Sequence, residues 1–365
     1  MTDHSRLQQL IDLAKEPSSE KRRDLLRGIT DIFLEDPDGF NAREKDHFAD
    51  IMGKVAQEME RKVREDLAHR LAEVAEAPKS LLIKLAKDEI EVARPILEKS
   101  AGLSDEDLLA IVRQGRAEHQ RSVAARETVS AELSDALVER GDDSVLKTLV
   151  ANKGATISRP TMERVVQRAE GNQALHAPLL DRADLPPDLM QDMFWFVSSQ
   201  LRKRILSITS EIDPKVVDQL LAESEKKLAS SLGASSRTKT KAQQFIDEKA
   251  AKRELNEALL VQLLREKRVP ELVCGFAKLV QVDESTARRI IFDKTGEGLA
   301  IACKATRFDR STFSTFVLLA GAEGSRSMED ARVLLELYDK VPVDIAQRTM
   351  RFWRVRRETM AAEAA

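Results

Sequence analysis

The sequence predicts an all-α protein built as an α-solenoid of short helix pairs, and three observations carry that reading. Between residues 77 and 200 an apolar residue followed by Ser or Pro recurs every 26 to 28 positions: Ala77-Pro78, Leu103-Ser104, Val129-Ser130, Ile157-Ser158 and Leu185-Pro186. Seven residues after each Ser or Pro stands a paired apolar position: Leu85-Ala86, Ile111-Val112, Leu137-Val138, Val165-Val166 and Met193-Phe194. Charged residues make up 33% of the chain and aromatic residues 4%. That exceeds the roughly 25% charged of an average globular domain, in the direction of a surface-rich helical protein. A repeat of this length reads as two short helices. One such unit cannot bury its apolar face alone, so neighbours must stack around a continuous core.

Residues 1–76 read as an N-terminal helical region. Residues 5–35 predict two short helices broken around Pro17-Ser18-Ser19 and closed by the turn formers Asp36-Pro37-Asp38-Gly39. From Asn41, a helix cap, to Ala77, residues Phe48, Ile51, Met52, Val55, Met59, Val63, Leu67, Leu71 and Val74 recur at helical spacing. They predict one long helix, or one with a slight break near Gly53. At 1.5 Å per residue it would span roughly 50 Å, so it must lie against other elements as a cap for the array, or against a second copy in a homodimer.

Residues 77–210 are the helical-repeat array. Ser104 precedes Asp105, Glu106 and Asp107, so a hydroxyl cap and first-turn carboxylates serve the orphan amides and the positive helix end. Ser130 and Ser158 take the same place, and Pro186-Pro187 replaces them in the last copy, where no amide donor is needed. Gly115 and Gly141 follow the first helix of two copies; Val123 and Leu149 mark the second. Phe194-Trp195-Phe196 closes the array by packing. Residues 211–244 read as a helix over 211–232 followed by a mobile linker over 230–244, where small polar residues surround Arg237, Lys239 and Lys241. Residues 245–365 form a C-terminal helical domain with helices predicted at 245–267, 270–280, 283–293, 297–306, 309–320, 327–339 and 342–360. Val282-Asp283 and Phe308-Asp309 again lie 26 apart, a diverged continuation of the pair plan.

The stretch RSVAARETVSAELSDALVERGDDSVLKTLVANKGATIS resembles the leucine-rich-variant and HEAT-like class of helical repeats. Together with FWFVSSQLRKRIL, LLVQLLREKRVPELVCGFAKL and FDKTGEGLAIACKATRFDRSTFSTFVLL, the array resembles a bacterial domain-of-unknown-function family over roughly residues 40–320. The resemblance implies an all-helical, HEAT-like fold and brings no reaction, ligand or catalytic residue with it.

Chemistry-bearing motifs are few. Cys274 and Cys303 have neither CxxC spacing nor a histidine pair nearby, and His4, His47, His69, His119 and His176 are single, so neither a disulfide framework nor a metal site is predicted. The turn Asp293-Lys294-Thr295-Gly296-Glu297-Gly298 precedes a helix but lacks the lysine spacing of a phosphate loop, and it reads as an interhelical turn. No cofactor is expected. The net charge of −3 gives no global attraction to nucleic acid or anionic membranes. No run of 18 apolar residues is present and the amino terminus has no secretory pattern, so a soluble, cytoplasmic protein without a membrane span is expected.

These readings point to a non-enzymatic adaptor or regulatory protein that binds another protein through its repeat surface. The alternative is a nucleic-acid-binding protein similar to the HEAT-like DNA glycosylases. The candidate residues for an anionic partner are Arg202, Lys203 and Arg204 after the array, and Arg351, Arg354 and Arg357 beside an exposed Trp353 on the last helix. In that helix Ile345, Phe352 and Val355 are expected to hold the core.

Overall fold

A computed structural model describes residues 19–212, 240–320 and 327–363, with side chains described up to Arg354 apart from Ser19 and Met328. Twenty-one α-helices and no sheet occupy these residues. The chain is all-α and divides into two compact units, Met1–Asp184 and Leu185–Ala365.

The first unit opens with α1 (Ser19–Glu35), α2 (Ala42–Gln57) and α3 (Arg61–Ala72). Asn41 forms a full capping box with Glu44, as its place before the apolar stretch predicts. The single long helix is corrected. The chain breaks at Glu58–Glu60 rather than near Gly53, with Met59 buried in the break and the Arg64 guanidinium donating to its carbonyl at 2.8 Å. Two shorter helices then replace one rod of roughly 50 Å. Of these, α2 lies on α4 (Lys79–Ala86) and α3 on α5 (Ile90–Lys99), so this region packs as one more helix pair. The expected helix over residues 5–16 lies outside the described residues.

The pairs then follow one another: α6 (Asp105–Gln114) with α7 (Ala117–Ala124), α8 (Ala131–Arg140) with α9 (Asp143–Ala151), and α10 (Arg159–Ala169) with a 3-10 turn (Gln173–Leu175) and α11 (His176–Leu180). First helices touch first helices, α6 on α8 on α10. Second helices touch second helices in an unbroken row, α3, α5, α7, α9 and α11. Every paired apolar position of the repeat is buried, Leu137 and Val165 completely. Each such Leu or Val contributes about 1.5–3 kcal/mol relative to exposure. Ser104, Ser130 and Ser158 each accept a backbone N–H from the first turn of their helix.

Gly115 and Gly141 end α6 and α8 in the same way, donating to the Ile111 carbonyl at 2.6 Å and the Leu137 carbonyl at 2.8 Å. A β-carbon there would sit 2.6 Å and 2.5 Å from those same oxygens, so a side chain is excluded by close approach.

A polar ladder absent from the hydrophobic pattern ties each pair to the next. Arg126 donates to the carbonyls of Leu97 and Ser100 at 2.6 and 2.8 Å, and Asn152 to those of Ala124 and Arg126 at 2.9 and 2.7 Å. Arg182 donates to Val150, Asn152 and Ala155 at 3.2, 2.8 and 2.8 Å. Positions 100, 126 and 152 are repeat equivalents; the first two carbonyls receive the side chain 26 positions later, and the third receives Arg182, 30 positions later. The orphan carbonyls at the ends of α5, α7 and α9 are thereby satisfied from the following pair. Burial draws the Arg126 guanidinium below its ordinary pKa, with the Asp105 charge acting in the opposite sense.

The second unit contains α12 (Pro187–Met193), α13 (Ser199–Glu211), α14 (Lys241–Ala251), α15 (Glu257–Arg265), α16 (Val269–Val280), α17 (Glu284–Phe292), α18 (Glu297–Ala305), α19 (Arg310–Leu319), α20 (Met328–Lys340) and α21 (Val343–Glu363). The fifth copy of the repeat thus begins where the second unit begins. The helix expected over 245–267 is two helices, divided where Arg253 takes a left-handed φ of 58°. Gly298 through Cys303 are all buried, so α18 is covered nearly all round, by α17, α20 and α21. Burial pushes the Cys274 thiol up to about 12, and Cys303 higher still. Of the expected helix and linker over 211–244, residues 213–239 lie outside the described residues. Thr240 to Gln244 are no linker, since Thr240 caps α14 through a capping box with Gln243.

Asp283 caps α17, accepting from Ser285 and Thr286 backbone N–H groups at 2.9 Å each. Partial burial raises its pKa, but the hydrogen bonds from Ser285 and Thr286 outweigh it and hold the carboxyl below its ordinary value. A depressed folded pKa stabilises above the unfolded value of about 3.9 and is lost as pH falls through the folded value. Asp283→Asn retains a good cap without the charge. It is expected to cost up to about 1 kcal/mol at neutral pH and nothing at a pH below the folded pKa. Urea denaturation as pH is lowered stepwise from 7 measures this, and a difference that does not shrink below pH 4 would refute the charge contribution.

Candidate interaction surface

The arginines and tryptophan singled out in the sequence do not assemble into one exposed site. Arg202 on α13 is 5% exposed. Its Nη1 donates to the Thr295 hydroxyl, ion-pairs with Glu297 at 3.3 Å and with Asp293 at 3.7 Å, and its guanidinium sits 5.3 Å from the Phe194 ring centre. Two carboxylates already surround this cation, so an external anion has no access to it. The turn Asp293–Gly298, where Gly296 has φ 73°, is therefore an interhelical turn that receives a buried guanidinium. Lys203 and Arg204 are exposed on the same helix.

Trp353 is also corrected. It is 4% exposed, with ring centres 4.6 Å from Trp195 and 5.4 Å from Phe194. The buried face of α21 is Ala346, Thr349, Met350 and Trp353, an i, i+3, i+4, i+7 set, with Phe352 buried beside it; Ile345 is only half-buried. Arg351 is exposed. Arg354 is half-buried and donates to the Val280 carbonyl at the end of α16 at 3.0 Å, and burial, reinforced by the charge of Arg351, lowers its pKa. The two arginines therefore do not share one outward flank. The side chains of Val355 and Arg357 lie outside the described residues.

Two grooves lie along the second helices of the first unit. One groove, of about 630 Å3, lies at the starts of α5 and α7 and is lined by Arg61, Asp88, Glu89, Glu91, Arg116 and His119 among others. It neutralises itself. Arg61 pairs with Glu89 at 3.8 Å and Glu91 at 3.6 Å, while Arg64 just behind holds Asp88 at 2.7 Å. The His119 Nε2 is 2.9 Å from the Asp88 carbonyl, so the ring is tied to the preceding pair.

A second groove, of about 750 Å3, runs between α7 and α9. Its cations are Arg121, Lys147 and Lys153, its floor is Ala125 and Ala151, and Ser144, Thr148 and Asn152 complete the lining; no carboxylate lines it. Arg121 and Lys147 are one repeat apart, and so are Ala125 and Ala151. Because α7 and α9 stack in register, equivalent positions align, and a small residue one turn after each cation leaves the floor low. Sequence reasoning did not select these residues, although a cation repeated at the 26-residue period was a readable signal.

Asp142 stands at the edge of this groove and is already engaged. It accepts from the Ser144 and Val145 backbone N–H groups at 2.9 and 3.0 Å and from the Ser144 hydroxyl at 2.7 Å. The Ser144 hydroxyl foremost, with the backbone bonds and the charge of Arg121, holds this carboxyl below its ordinary pKa. Among the described residues no group of three His, Cys, Asp or Glu is placed to hold a metal ion.

A protein-family model described as an uncharacterised protein conserved in bacteria (DUF2336) matches residues 92–351. No curated protein and no solved structure matches the chain.

Proposed function

Since the chain belongs to the DUF2336 family, whose description ascribes no activity, we propose from its own residues that it is a non-enzymatic adaptor or regulatory protein. On this reading the first unit is a HEAT-like α-solenoid that binds another protein along its second helices, in the cytoplasm. The observation that carries it is the unbroken row of second helices α3, α5, α7, α9 and α11. Side chains one repeat apart line up across that row, and an extended surface of this kind is how stacked repeats meet their partners. No described helix is long and apolar enough to cross a membrane. The nucleic-acid alternative loses support because Arg202 and Trp353, two of the residues it relies on, are buried.

A photo-crosslinking residue placed at exposed Ala151 of α9 tests the reading, against the same residue at exposed Glu139 on the first helix α8. Crosslinking in cells followed by mass spectrometry is expected to give adducts with a discrete protein from position 151 and none from 139. Nucleic-acid adducts, or equal yields from both positions, would overturn it.

A further inference from the structure

We propose that the groove between α7 and α9 is the docking site for an acidic segment of the partner protein, whose Asp and Glu carboxylates pair with Arg121, Lys147 and Lys153. The inference rests on the protein-binding reading and adds the chemistry of the partner and the place it binds.

Charge is the first argument. None of the three cations forms an ion pair among the described residues, whereas the neighbouring groove balances its cations internally. Asp142 at the start of α9 stays ionised and offsets part of the Arg121 charge, while Lys147 and Lys153 form no ion pair among the described residues. The excess of positive charge along this open groove favours a ligand carrying carboxylates.

Hydrogen-bond direction is the second argument, and it separates a peptide from a nucleic acid. The Ser144 hydroxyl donates to Asp142 at 2.7 Å and the Thr148 hydroxyl to the Ser144 carbonyl at 3.0 Å. With their hydrogens turned inward, both oxygens present acceptor lone pairs to a ligand. A peptide backbone brings N–H donors to meet them, and a phosphodiester backbone brings acceptors alone. No aromatic side chain lines the groove, so bases have nothing to stack upon.

The experiment uses the full chain and three fluorescein-labelled probes: a short peptide of alternating Glu and Ala, its Gln counterpart, and a single-stranded DNA of equal charge. The groove variant is Arg121→Gln, Lys147→Gln and Lys153→Gln together. The control variant, Lys54→Gln with Arg113→Gln and Arg140→Gln, removes three exposed cations away from the groove. By anisotropy at low salt the Glu peptide is expected to bind and the Gln peptide not. The groove variant should lose about tenfold in affinity, close to the product of three exposed ion pairs worth roughly a factor of two each, and the control less than twofold. Ala125→Glu, which sets a carboxylate on the floor and leaves the cations in place, should weaken binding as well.

Equal losses in both triple variants, failure of the wild-type chain to bind the Glu peptide, or tighter DNA binding abolished by the groove variant would each overturn the proposal. Crosslinking from position 151 separates its failure from that of the underlying reading. If the groove variant keeps the protein adduct, the pairing of acidic side chains with these three cations is wrong and the adaptor reading stands; if the wild-type chain gives no protein adduct, the reading itself falls.

Discussion

Arg202→Met is expected to destabilise the second unit by about 3–5 kcal/mol, because removing one partner of a buried ion network strands the others. Glu297 and Asp293 are 13% and 14% exposed at the side chain, and each would lose its guanidinium while remaining shielded from water. Methionine preserves most of the volume against Phe194, so the loss is electrostatic rather than a cavity. The second variant Arg202→Met with Glu297→Gln should recover part of it, since the uncompensated charge is then reduced. Both tryptophans, Trp195 and Trp353, lie in the second unit and their rings touch. Tryptophan fluorescence during urea unfolding therefore reads this unit alone. A change below about 0.5 kcal/mol would show that the network carries no stability, within the range found for exposed ion pairs.

Leu137→Ala is expected to cost about 2–5 kcal/mol, the range for truncating a fully buried Leu. The residue sits on α8 between α6 and α10, where rigid helices on both sides limit collapse around the lost volume. Because the first unit holds neither a tryptophan nor the single tyrosine, its unfolding is followed by far-ultraviolet circular dichroism, with tryptophan fluorescence of the second unit as an internal reference. A loss below about 0.5 kcal/mol would mean that the core at this position is not packed, contrary to the cavity cost that packing imposes.

The repeat was legible because its marker and paired positions are apolar and face the same core in every copy, so periodicity carries their burial. The break between α2 and α3 was not. Arg61 onward continues the helical spacing, Met59 is apolar like its neighbours, and neither Pro nor Gly marks the site. One clue to an extra pair stood in view: Phe40-Asn41 is an apolar residue followed by a cap, and seven positions later comes Phe48-Ala49, with Ala49 buried. Trp353 was misplaced since adjacent Phe352 satisfies a helical stripe equally well, and both side chains prove to be buried. The Arg126, Asn152 and Arg182 contacts were illegible for another reason. Long polar side chains reaching backbone oxygens leave no hydropathy signal, and only their spacing betrays them.

That same ladder sets how the chain can change length. Asn152 reaches the carbonyl of a residue 26 positions earlier, and Arg182 in turn reaches the carbonyl of Asn152. Excision of residues 127–152 would bring the carbonyls of Ala124 and Arg126 to the places now held by those of Val150 and Asn152, and Arg182 would find acceptors there. Duplication of the same stretch would add one more donor and its acceptors together. A gene segment encoding a whole period can be lost or copied with every rung still closed.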